Sequence, residues 1–124
     1  MDREVVKLYQ GKSICSFLLE EEALLIRFTD DSALKLFDEG QQCCEQRYLR
    51  SDDDFRAVEG AQFLDAQVRE AAESAFLVDT NNCGIHEVQF LVILTSLGEL
   101  TISAHNEHNG YYGGFTLSAE EVKS

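Results

Sequence analysis

Proline is absent from all 124 residues. No linker is therefore marked by composition, and no internal repeat or low-complexity tract divides the chain, which reads as one domain over 1–124. Long apolar runs are missing as well. The longest, residues 90–94, is strand length and far short of the roughly 20 residues of a membrane-spanning helix. Positive charge is scarce: 10 lysines and arginines face 23 carboxylates, for a net charge of −13. Such a chain is repelled by phosphate backbones at long range, which disfavours ordinary DNA or RNA binding. Three readings of the charge remain: a solvated acidic surface, an imitation of nucleic acid that binds a basic partner, or a surface against which a few arginines form one local anion pocket. The opening Met1-Asp2-Arg3-Glu4 lacks the basic start and apolar middle of a signal peptide, so the expected location is cytoplasmic. In that compartment Cys15, Cys43, Cys44 and Cys83 are expected as reduced thiols.

What the chain does have is alternation. With 44% hydrophobic residues it can bury a core without staples. Asp2, an apolar Val5/Val6/Tyr9 face and Gly11 predict a short helix over 2–10, although a strand fits the same stretch. Segments 13–19, 23–29 and 33–37 read as strands. Leu24, Ile26 and Phe28 share one face, and Asp30-Asp31-Ser32 turns the chain toward Leu34 and Leu36. Segment 40–50 is extended, and a helix is expected over 52–59, capped by Ser51. Strand 61–69 places Leu64, Ala66 and Val68 together, and 70–84 reads as a long loop. Residues 85–95 form the strongest strand. Val88, Phe90, Val92 and Leu94 are expected in the core, while Leu91 and Ile93 make the second face apolar too. Strands 99–104 and 111–117 follow, then a polar tail. The fold class is α+β, predominantly antiparallel β-sheet with one or two short helices. The two-sided apolar strand predicts a homo-oligomer in which a second subunit supplies a missing layer.

Chemistry-bearing residues concentrate in two segments outside the clearest strands, 40–48 and 105–115. Cysteine and histidine together invite a zinc reading, with Cys83 and His86 at plausible spacing. Adjacent Cys43 and Cys44 rarely aim at one ion, however, and the Asp52–Asp54 carboxylates diverge on a helix. No metal and no cofactor is expected. A cysteine nucleophile would need a lowered pKa and a nearby imidazole, and no protease-like pattern surrounds either thiol. No catalytic residue is assigned, and the chain is read as a non-enzyme. As a ligand surface, Arg47 and Arg50 would hold phosphate and Tyr111 or Tyr112 would stack on a base. Asn106 or Asn109 would read its edge, with Cys43, Cys44 and His105 alongside. The bland alternative is a tight Asn109-Gly110 turn packed beside a buried thiol pair.

At Gly11-Lys12, at Gly40–Glu45 (Gly-Gln-Gln-Cys-Cys-Glu), at Thr101-Ile102 and at Asn109–Tyr112 (Asn-Gly-Tyr-Tyr), the chain resembles an uncharacterised family of small phage and bacterial proteins. The likeness spans most of 11–117. Members often carry an arginine after Thr-Ile, where this chain has Ser103, so any ligand contact of that arginine must come from another residue here. The resemblance implies a phage anti-defence protein of the Thoeris anti-defence type, acting in a bacterial host cell. Its expected ligand is a small cyclic nucleotide signal, cyclic ADP-ribose-like or oligonucleotide, which it sequesters without catalysis. Two alternatives stand beside it: an acidic inhibitor of a basic host protein, and a small cysteine/histidine metal protein or enzyme. Neither direct nucleic-acid binding nor a membrane partner is expected.

Overall fold

The computed structural model describes residues 2–38, 46–70, 77–79, 84–108 and 116–122, with the backbone alone at 46, 47, 70, 77–79, 84–87, 107 and 108. The chain opens with helix α1 (Arg3–Tyr9), whose Asp2 cap accepts the Glu4 and Val5 N–H groups. Gly11, at φ +86°, turns the chain out of it. Of the two readings open in the sequence, helix is the one formed. Val6 and Tyr9 are its buried residues, as the spacing predicts.

Strands β1 (Ile14–Leu19), β2 (Ala23–Phe28) and β3 (Ala33–Asp38) form an antiparallel meander. Asp31 closes the second hairpin at φ +70°, a conformation aspartate tolerates better than most residues. After β4 (Gln46–Arg50) a single 3₁₀ turn covers Phe55–Val58. The helix expected over 52–59 shrinks to this turn, and its cap is Asp54, which accepts the Arg56 N–H, rather than Ser51. Ser51 and Asp53 are instead bound to the backbone of Thr101. Strands β5 (Phe63–Glu70), β6 (Leu77–Asp79), β7 (Gly84–Thr95) and β8 (Gly98–His108) follow. Strand β6 falls inside the stretch read as a long loop. The last strand, β9 (Leu117–Val122), falls where the sequence reads as a polar tail. Leu117 and Ala119 supply enough apolar surface for its inner face, and β3 supplies the hydrogen-bonding edge.

Two antiparallel sheets result, ordered β1-β2-β3-β9 and β4-β8-β7-β5, with β6 also on β7. Because β8 pairs with β7 from Ile85 to Thr95, β5 and β6 share the other edge of β7. The sheets enclose one core. Leu24, Ile26, Leu34 and Leu36 from the first meet Leu49, Phe63, Leu91, Ile93 and Ile102 from the second. Helix α1 packs against β5 and β9, and its Tyr9 stacks on Phe28, which in turn meets Phe63 edge-on.

Two core assignments change. On β7 the interior takes Leu91 and Ile93, both fully buried, while Val88, Phe90 and Leu94 are half-buried on the outer face beside a buried Val92. Both faces of this strand are apolar, so its own period cannot choose. The neighbours choose: Leu91 and Ile93 lie opposite Ile102 and Leu100, whereas Phe90 and Val92 lie opposite Ser103 and Thr101. On β5 the register shifts between Phe63 and Asp65, which turns Phe63 inward and leaves Leu64 exposed; Ala66 is buried opposite Ile93, whereas Val68, on the same face opposite Leu91, is exposed.

Candidate functional site

The outer face of the five-stranded sheet carries an arrangement that only strand register reveals. Arg69 lies opposite Phe90, Phe90 opposite Ser103, and Ser103 opposite Arg50. One row across four strands therefore reads Arg69, Phe90, Ser103, Arg50. With strands about 4.8 Å apart, the two arginine backbones stand roughly 14 Å apart. The next row places Val88, His105 and Tyr48 side by side. The Tyr48 and His105 rings stack nearly parallel, with centroids 4.8 Å apart and 4° between their planes. The Arg50 guanidinium lies 5.1 Å from the Tyr48 ring centre.

Hydrogen bonds fix the polar groups of this face. Ser103 Oγ donates to the Arg50 carbonyl at 3.1 Å and lies 2.8 Å from His105 Nε2. The hydroxyl thus bridges the β4 backbone and the imidazole, and the direction of its bond to Nε2 follows the histidine tautomer. Beyond Arg50 the β4–β8 ladder stops. Ser51 Oγ donates to the Thr101 carbonyl at 2.7 Å, and Asp53 Oδ2 accepts the Thr101 N–H at 2.6 Å, so side chains replace the next ladder pair. Arg50, Ser51, Asp52, Asp53, Phe90 and His105 border a cleft of about 410 Å³ over Thr101 and Ser103. That volume falls in the range of small-molecule sites. Its chemistry is mixed: a guanidinium, hydroxyls, carboxylates and an aromatic wall.

Strand pairing brings Arg47 and Arg50 beside the 103–107 stretch, with Arg47 opposite Asn106 and Gln46 opposite Glu107. The residues divide between faces, however. His105 and Arg50 point outward, whereas Asn106 is fully buried on the interior side and so cannot share a surface with them. The Arg47 side chain lies outside the described residues, as do Cys43, Cys44, Asn109, Tyr111 and Tyr112. Sequence reasoning missed Tyr48, Phe90, Ser103 and Arg69 as site residues. Each sits at an outward position of an alternating strand, but only the pairing register places them together.

Cys15, on β1, is an exposed free thiol. Among the described residues no group of three or more histidine, cysteine or carboxylate side chains is placed to hold a metal ion. No helix among them is long and apolar enough to cross a membrane. No curated protein and no solved structure matches the chain. One family does, described as a domain of unknown function and designated DUF7448, and its match runs over residues 3–117. With the match covering nearly the whole chain, the protein belongs to the DUF7448 family.

Proposed function

We propose that this protein is a non-catalytic binding protein that sequesters a small cyclic nucleotide on the outer face of its five-stranded sheet. The observation that supports this most is the row Arg69, Phe90, Ser103, Arg50 beside the cleft. A nucleotide needs a site for phosphate, a flat apolar contact for the base, and acceptors for sugar hydroxyls and exocyclic amines. Arg50 and Arg69 offer the first, since a guanidinium grips phosphate oxygens with two parallel N–H groups. Phe90, half-buried in the cleft wall, offers the second. Asp52 offers the third. Tyr48 is already held by His105 and Arg50, and it serves as their support rather than as a stacking platform. Ser103 stands where the resembled family often carries arginine, and here arginines flank it on the same row.

Sequestration of a host signalling nucleotide is the role a phage counter-defence protein fills, acting in the cytoplasm of a bacterial host. A second copy covering Val88, Phe90 and Leu94 would complete the layer over this face and enclose the ligand between subunits. Calorimetry against a panel of cyclic oligonucleotides and cyclic ADP-ribose-like molecules tests the reading. At least one member should bind, and Arg50→Ala should weaken it about tenfold or more, the loss of one charged hydrogen bond. No heat with any panel member, or unchanged affinity in both Arg50→Ala and Phe90→Ala, would sink the proposal. Native mass spectrometry of protein purified from bacteria would report a retained nucleotide directly.

A further inference from the structure

The four-stranded sheet has an outer face of different character. Leu25, Lys35 and Phe37 alternate with the core residues Leu24, Leu34 and Leu36 and therefore point away from the interior. At one end the acidic turn Glu20–Glu22 closes over this face, tied to β4 by the Leu49 N–H donating to the Glu21 carbonyl at 2.8 Å. The result is a groove of about 840 Å³ whose apolar part comes from Leu25, Phe37, Tyr48 and Val122. Among the described residues that border it, six are acidic (Glu20, Glu21, Glu22, Asp38, Glu120 and Glu121) and one, Lys35, is basic. That lysine shows how the groove holds positive charge. Its ammonium lies 4.8 Å from the Phe37 ring centre, and its backbone is paired with that of Glu120.

From this charge complementarity we propose that the groove is a docking surface for a lysine- or arginine-rich, partly apolar peptide segment of a protein partner. Apolar side chains of the segment would cover Leu25 and Val122, and its cations would reach the carboxylate rim. Further ammonium or guanidinium groups would find an aromatic face like the one Lys35 covers, with acidic residues bordering the groove around it. Both parts are needed. At a net charge of −13 the whole chain attracts cations, but only a local rim with an apolar floor selects an amphipathic one. The proposal does not need the nucleotide reading, although Tyr48, which supports His105 and Arg50 on the other sheet, also borders this groove.

Fluorescence anisotropy with a labelled hexapeptide of alternating lysine and leucine tests it. The rim variant combines Glu20→Gln, Glu22→Gln and Glu120→Gln, all exposed side chains. The control combines Glu4→Gln, Asp31→Asn and Glu59→Gln, equally exposed and away from the groove, with the same change in net charge. Binding should weaken about tenfold in the rim variant at low salt and less than about twofold in the control. Phe37→Ala should weaken it as well, with an unchanged salt dependence. Equal weakening in rim and control variants would overturn the proposal, because net charge alone would then explain binding. Spermine binding as tightly as the peptide would also overturn it, because the apolar floor would then contribute nothing.

Discussion

Arg3 shows how a single side chain can position an element. Its guanidinium donates to the Ala66 carbonyl and to Asp65 Oδ1, each at 2.6 Å, and so fastens α1 to β5. Partial burial works against the Asp65 carboxylate, but the Arg3 guanidinium, the Ala66 N–H and the Gln67 amide outweigh it and hold its pKa below the usual range. Asp30 is lowered further by Lys12 and Ser32. Both groups bind protons less readily in the folded chain than in the unfolded one. Their stabilisation is therefore complete above about pH 4 and is lost as pH falls through their lowered values. Asp65→Asn should cost about 1 kcal/mol at neutral pH, a figure reduced because Arg3 is nearly half exposed. It should also flatten the acid limb of the stability profile, as read by urea melts at successive pH values. An acid limb as steep as that of the unmodified chain would remove Asp65 from the account. Tyr9 gives a second residue-scale test. Its buried hydroxyl donates to the Ala33 carbonyl at 2.7 Å, so Tyr9→Phe should cost about 1–2 kcal/mol in the same melts.

At the scale of elements, β7 separates burial from hydrophobicity. Leu91 and Ile93 are fully buried, whereas Phe90 is half-buried on the outer face. Ile93→Ala should therefore cost about 2–5 kcal/mol, as a cavity deep in the core. Phe90→Ala should cost only about 1–2 kcal/mol in the monomer, in line with the smaller area it removes from water. Chemical denaturation of the two variants decides the order, and a reversal would mean that the outer face is the better packed one. Strand β9 illustrates the same separation. Its sequence, Leu117 to Val122, is too polar to stand out, yet six residues pair with β3 because that edge offers unpaired backbone groups.

At the scale of the whole molecule, two sheets share one core and each turns a distinct surface outward. One carries the half-buried stripe Val88, Phe90 and Leu94 between charged flanks, and the other carries the acidic groove. Covering the stripe with a second copy predicts a mass above 14.0 kDa by light scattering at micromolar concentration. Placing a carboxylate there, as in Phe90→Asp, should return the protein to the monomer while leaving its circular dichroism unchanged. A monomer in the unmodified protein would show that the stripe is simply the outer surface of the sheet.

The sequence by itself determined the dominant antiparallel β character, the first hairpins and the strength of β7, and it offered the α1 cap and stop without deciding between helix and strand. These follow from alternation, turn residues and capping, which act within a few positions of the chain. Tertiary structure alone decided which face of β7 is the core, that a bulge rotates Leu64 outward, and that a polar tail becomes a strand. It alone also assembled Arg69, Phe90, Ser103 and Arg50 into one row while sending Asn106 to the opposite face from His105. The reason is that cross-strand register joins residues dozens of positions apart. A one-residue shift in that register would move every one of them to the other side of the sheet.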